Sequence, residues 1–174
     1  MALAPVLAIA LYIYWKDKHE KEPVGVLVMC FILGVLICFP AGFWNSGVFE
    51  IFKFDLNDKN NDMLVSFFMA FFVVGLGEEL LKYLVVVLYA FRKPSFNEPF
   101  DGIVYAVMVS LGFAAFENII YVMEGGLGVA IARMLTAVPM HAAFAVIMGY
   151  YIGLSKYYQG SARTEKSLKG LFKI

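Results

Sequence analysis

Between Met63 and Phe91 the chain is almost wholly apolar, yet near the middle it carries Gly75-Leu76-Gly77-Glu78-Glu79-Leu80-Leu81-Lys82. A run of this length can cross a bilayer, which takes about 20 apolar residues. A charged side chain at the bilayer centre costs roughly 2.5–3.5 kcal/mol on insertion scales. Two carboxylates and an ammonium in one span therefore need partners from other spans or a water-lined cavity. Residues placed at that cost are functional candidates first.

Composition agrees with a membrane setting. The 174 residues are 61% apolar and 17% aromatic, with a mean hydropathy of +0.76. Soluble domains lie nearer 45–50% apolar, with about a quarter of their residues charged. The expected fold class is all-α: a single polytopic helix bundle over residues 1–174 with about five membrane segments. Net charge is zero, and nothing points to nucleic acid. Cys30 and Cys38 share one apolar run and read as small apolar residues. The two histidines are His19, in a charged loop and read as solvated, and His141, in an apolar segment. A structural metal site built from several His or Cys is excluded.

The first membrane segment is Met1 to Trp15, without the basic leader and cleavage site of a signal peptide. The second runs from Val24 to Trp44, with Pro40 kinking its end, and a polar loop follows from Asn45 to Asp62. The Met63–Phe91 stretch is the third. Arg92-Lys93-Pro94 turns the chain into a fourth starting near Asp101-Gly102 and ending near Met123. Glu124-Gly125-Gly126 then leads to a fifth, from Leu127 to about Tyr158, read as a short helix and a full span around Pro139. If the five alternate, ten of the fourteen Lys and Arg fall on one side, and only Lys53 and Lys59 on the other. Excess basic loops mark the cytoplasmic face, so the N-terminus is expected outside and the C-terminus cytoplasmic. Trp15 and Trp44 lie at interfacial ends, where aromatic belts form.

Polar residues recur on three of these segments. Lys82 follows Glu79 by three positions and Glu78 by four, within side-chain reach of both. Adjacent helical residues point about 100° apart, so one lysine cannot serve both carboxylates well. On the fourth segment Gly102, Ala106, Ser110 and Ala114 form a stripe that admits a close neighbouring helix. Glu117 and Asn118 continue that face, with Tyr121 one turn on. Asp101, before Gly102, reads as a helix N-cap. On the fifth, Arg133, Ala137 and His141 are spaced by four, and Ala145, Gly149 and Gly153 extend a second small-residue face. Three carboxylates and an imidazole suit two chemistries. One is a divalent metal held by His and Glu, with another Glu deprotonating its water. The other is metal-free acid–base hydrolysis by a carboxylate.

The chain resembles the PrsW-type intramembrane proteases, related to the CAAX-processing and bacteriocin-processing membrane endopeptidases. The resemblance lies in Tyr14-Trp15-Lys16-Asp17 with Glu22-Pro23, Glu78-Glu79-Leu80-Leu81-Lys82 as an EExxK signature, and Phe100 to Tyr105. It continues through Gly112 to Asn118, Arg133, Pro139-Met140-His141 and Gly149 to Gly153. It implies proteolysis of single-span membrane substrates such as anti-sigma factors, in the bacterial cytoplasmic membrane. Glu78, Glu79, Glu117 and His141 then become the catalytic set, supported by Lys82, Asn118, Arg133, Asp101 and Tyr121. A divalent metal, zinc first, would take Glu79, Glu117 and His141. Phe113 to Glu117 occupies the place of a FxxxH motif in related enzymes, with Glu where they have His. The resemblance further implies a His-bearing membrane helix after the basic tail, so the chain is expected to lack that helix.

Two other functions share these parts. Intramembrane Glu, Lys, Arg and His also build proton relays, as in an ion- or proton-coupled transporter, although no inverted repeat is seen. A non-catalytic scaffold could keep the fold and bind a membrane partner.

Overall fold

The computed structural model describes residues 3–18, 20–55, 62–158 and 160–173. His19 and the loop residues Asp58 and Lys59 lie outside them. Among the described residues the chain is helical throughout, with no strand. Helix α1 is Ala4–Lys16, α2 Val24–Leu36, α3 Cys38–Phe52, α4 Met63–Phe68, α5 Leu76–Leu88, α6 Pro99–Leu135, α7 Ala137–Ser155 and α8 Gly160–Phe172. A π-helical turn, Met69–Gly75, joins α4 to α5.

Among the described residues three stretches are long and apolar enough to cross a membrane: Val24–Phe52, Met63–Arg92 and Pro99–Ser155. The third has 57 residues, roughly 85 Å of helix at 1.5 Å per residue, and must double back. It does so at two breaks. Gly126 has φ 69° and ψ −158°, a region open essentially only to glycine. Thr136 has φ −119° and ψ −71°. The expected fifth segment is therefore a short helix followed by a long one, as the residues around Gly126 and Pro139 predict.

The two legs of this stretch form the centre. Gly102 on α6 lies against Gly149 and Gly153 on α7, so closely that a Cβ at Gly102 or Gly149 would overlap the other's carbonyl. Ala106, Ser110, Ala114 and Ala145 are fully buried along the same seam. The small-residue stripes thus meet each other, antiparallel, as close packing of helices in a membrane requires. Helix α2 crosses the opposite face of α6, where Gly34 admits the Val109 carbonyl and Gly112 admits the Phe31 carbonyl. With neighbours on two sides, α6 is buried nearly all round from Asp101 to Ala115, and an all-apolar circumference suits such a helix.

Two segment boundaries differ from expectation. The break in the second segment falls at Ile37, and the helix then continues to Phe52, so Asn45 is helical rather than the start of a loop. Pro40 sits in the first turn of α3, where a missing N–H leaves no bond unmade. The basic tail is also helical: α8 packs back along α7, with Gly170 against the Met148 carbonyl and Ser167 hydrogen-bonded to Tyr83 at 2.7 Å.

Candidate active site

The π-helical turn ends where the Glu-Glu pair begins. Gly77 leaves room for the indole of Trp44, whose N–H donates to the Val73 carbonyl at 3.2 Å. Trp44 is therefore more than an interfacial anchor. It ties α3 to the turn that presents Glu78 and Glu79, and π-turns are frequent at functional sites.

From there a chain of charges crosses the bundle. The Lys82 ammonium, fully buried, donates to Glu79 Oε1 at 2.6 Å and to His141 Nδ1 at 3.0 Å. It also lies 4.3 Å from the centroid of the Phe113 ring, a cation–π contact. An ammonium has no lone pair to accept with, so His141 Nδ1 is the acceptor. His141 Nε2 then carries the hydrogen and donates to Glu117 Oε2 at 3.1 Å. Arg133 donates to the same Glu117 oxygen at 2.9 Å and, through Nε, to Asn118 Oδ1 at 2.6 Å. Its guanidinium stacks over Tyr121 at 4.2 Å. Ser110 Oγ bonds the His141 carbonyl at 2.9 Å and fixes α7 against α6 at this level.

Glu78, Glu79, Lys82, Glu117, Asn118, Tyr121, Arg133 and His141 thus come into one neighbourhood from α5, α6 and α7. Lys82 pairs with Glu79 alone. Glu78 turns away, as the 100° offset demands, and faces the Asn45 side chain on α3. Sequence reading placed Asn45 in a loop and missed it; its only signal was a polar residue one helical position past Trp44.

Asp101 belongs elsewhere. It is not the N-cap of α6: Glu98 is, with Asp101 three positions on as its capping-box partner. Asp101 Oδ2 accepts the Asn97 and Glu98 N–H groups at 2.7 Å each. Its carboxyl also faces Glu22, which accepts a hydrogen bond from Tyr105, itself bonded to Ser95. Burial, then the charge of Asp101 and a hydrogen bond with it, push the Glu22 carboxyl up to about 8. The Glu22-Pro23 and Phe100-Asp101-Gly102 motifs thus share a second buried carboxyl pair, one that holds the α1–α2 connection to the foot of α6.

Two cavities converge on Glu78. One, of about 560 Å³, is apolar and lies between the π-turn, α7 and the end of α8, lined by Phe71, Phe72, Glu78, Glu79, His141 and Phe144 among others. The other, of about 380 Å³, lies between α3, α5 and α6 and is lined by Asn45, Ser46, Glu78, Glu117, Tyr121 and Glu124 among others. Two buried side-chain oxygens have no hydrogen-bond partner among the described residues, Glu79 Oε2 and Asn45 Oδ1.

A metal set of Glu79, Glu117 and His141 does not form. Both His141 nitrogens are engaged by Lys82 and Glu117, and Lys82 stands between His141 and Glu79. Among the described residues no group of three or more His, Cys, Asp or Glu converges as divalent-ion ligands. The lone oxygen of Glu79 supplies one donor, whereas catalytic zinc takes three from the protein.

The fold and this site define a helical membrane protein with a partly buried Glu–Lys–His–Glu–Arg chain between its apolar helices. The family model described as PrsW family intramembrane metalloprotease matches residues 22–173. Protease PrsW of Geobacillus kaustophilus is 39% identical over 155 residues, covering 89% of this chain and 65% of that protein. Protease PrsW of Bacillus subtilis is 37% identical over 163 residues, 94% of this chain and 71% of that protein. The Clostridioides difficile protein of that name is 30% identical over 161 residues, 90% of this chain and 65% of that protein. The chain belongs to the PrsW family of intramembrane metalloproteases, as its motifs imply. It spans about two-thirds of the length of these relatives. No solved structure matches it.

Proposed function

We propose that the chain forms the core of an intramembrane endopeptidase in which Glu78 is the proton carrier. The observation that carries this reading is the pairing of charge. Glu79 has Lys82 and Glu117 has Arg133, at 2.6 and 2.9 Å. Among the described residues Glu78 has no cation within ion-pair distance, and it lines both cavities. A carboxylate neutralised by a fixed cation makes a poor base, so Glu78 is the one suited to moving a proton.

In the proposed reaction the Glu78 carboxylate takes a proton from water as the water oxygen bonds to the scissile carbonyl carbon. Glu78 then returns that proton to the amide nitrogen as the C–N bond breaks, leaving a carboxylic acid, whose proton passes to the released amine. Glu79, held by Lys82, offers Oε2 to hydrogen-bond the substrate backbone from the apolar cavity. His141 and Arg133 hold Glu117 at the wall of the polar cavity and keep its charge local. Zinc at Glu79, Glu117 and His141 has no step in this reaction, because those donors do not meet. The substrate is a single-span membrane protein of the anti-sigma factor type. The setting is the bacterial cytoplasmic membrane, with the N-terminus outside.

Co-expression with a single-span substrate tests this. Glu78→Gln should lower cleavage by about 100-fold or more, the scale of lost general base catalysis, while leaving protein level unchanged. Undiminished cleavage by Glu78→Gln would refute the assignment.

A further inference from the structure

The cavity between α3, α5 and α6 has a different character from its apolar neighbour. Glu124, exposed, sits at its edge one helical step beyond Tyr121 and two beyond Glu117. Asn45 and Ser46 line the facing wall. Hydrolysis inside a bilayer consumes water that lipid does not supply, and an apolar groove cannot hold it: a water needs two to four polar partners. The cavity between α3, α5 and α6 offers them on its lining, in Asn45, Ser46, Glu117, Tyr121 and Glu124, together with Glu78.

Asn45 is placed to use such a water. Its side chain lies beside Glu78 on the cavity lining. An amide can only donate to a carboxylate, so the NH₂ faces Glu78 and the carbonyl oxygen is left over. That oxygen is buried and without a partner. An acceptor beside a proton-accepting carboxylate can hold one hydrogen of a water while the other points at Glu78.

We propose that this cavity is the water path to the site and that Asn45 is a positioning residue that orients the water at Glu78. The proposal rests on Glu78 as the proton carrier. Its first test needs no cleavage. In a Cys30→Ala, Cys38→Ala background, single cysteines are placed at Gly42, where an added Cβ meets nothing within 4 Å, at Ser46, and at Phe72 on the apolar cavity. A membrane-impermeant maleimide on protein in lipid nanodiscs should label the first two at least tenfold faster than the third. Equal rates, or faster labelling at Phe72, would overturn the water path.

The second test addresses Asn45. The infrared carboxylate band assigned to Glu78, by difference from Glu78→Gln, should shift in Asn45→Ala. A band unmoved by Asn45→Ala would overturn the positioning role. In cleavage, Asn45→Ala should lower kcat about 10–100-fold, the scale of a misplaced reactant, with KM unchanged. Asn45→Asp, which keeps the acceptor oxygen, should recover part of that loss with an altered pH profile. Full kcat in Asn45→Ala would also overturn the role. If the parent cuts no substrate while labelling and infrared results hold, the protease reading falls and the hydrated Asn45–Glu78 site stands.

Discussion

Replacing Lys82 by Met tests whether the charge chain holds the bundle together. Lys82 is the fully buried member of three contacts: the ion pair with Glu79, the hydrogen bond to His141 and the ring of Phe113. Met fills nearly the same volume, so the change removes charge rather than packing. Hydrogen bonds between membrane helices average only about 0.6 kcal/mol in double-mutant cycles. Removing one member of a buried ion pair is a different case, because it strands the other charge, and costs about 3–5 kcal/mol. The second figure should govern here, since Glu79 has no second cation against it. For a chain of this size 1 kcal/mol moves Tm by about 2–4 °C, so detergent-solubilised Lys82→Met should melt roughly 6–20 °C lower. Adding Glu79→Gln removes the stranded charge and should recover most of the loss, less about 1 kcal/mol for the donor lost to His141. The exposed pair Glu165–Lys169 on α8 is the control, and Lys169→Ala should leave Tm unchanged. A Lys82→Met melt equal to the parent, or a double variant no more stable than the single, would refute a stabilising ion pair.

Glu22 binds its proton in the folded state up to about pH 8, against an ordinary value of 4.5. Its contribution is thus full below about 4.5 and is lost as pH rises towards about 8. The melting difference between parent and Glu22→Gln should follow that fall, and a contribution that grows over this window would contradict it. At the α6–α7 seam, Gly149→Leu would drive a side chain into the Gly102 backbone and should cost about 3 kcal/mol or more, whereas Gly25→Ala, with nothing within 4 Å of the new Cβ, should be neutral or slightly stabilising on the same melting assay. Zinc in the purified chain should fall well below one per molecule by elemental analysis. Lys82→Ala, which frees His141 Nδ1 and Glu79 Oε1, should raise it, and one zinc per parent chain would show that the charge chain rearranges.

Sequence reading succeeded where a residue type had only one tolerable place. Glu78, Glu79, Lys82, Glu117, Arg133 and His141 are too costly in lipid to face outward, so their helices had to turn them toward each other. The glycine and alanine stripes carried the α6–α7 contact because small side chains let two backbones approach. It failed where partners are chosen by angle rather than by cost. Asn45 looks like the start of a polar loop until α3 is seen to run on to Phe52. Asp101 looks like a cap until Glu98 takes that role and Glu22 is found opposite. A π-turn has no compositional mark, and Met69–Gly75 reads as ordinary apolar helix. Helix α8, polar along most of its length, discloses itself only through the few positions it buries, Ser167, Gly170 and Leu171.

The placement of the two fixed cations gives the site its division of labour. In a low-dielectric interior an ion pair at 2.6–2.9 Å is strong enough to hold each partner in place. Lys82 and Arg133 therefore immobilise Glu79 and Glu117, and His141, donating to one and accepting from the ammonium of the other, ties the two pairs into one rigid unit. A rigid, balanced unit is good at orienting and poor at proton exchange. Glu78, one residue from Glu79 but a hundred degrees round the helix, makes no ion pair with either cation and faces the neutral amide of Asn45. The adjacency of the two glutamates is thus what separates their tasks: the same helical turn buries one in the ion-paired unit and delivers the other to the boundary between the polar and the apolar cavity.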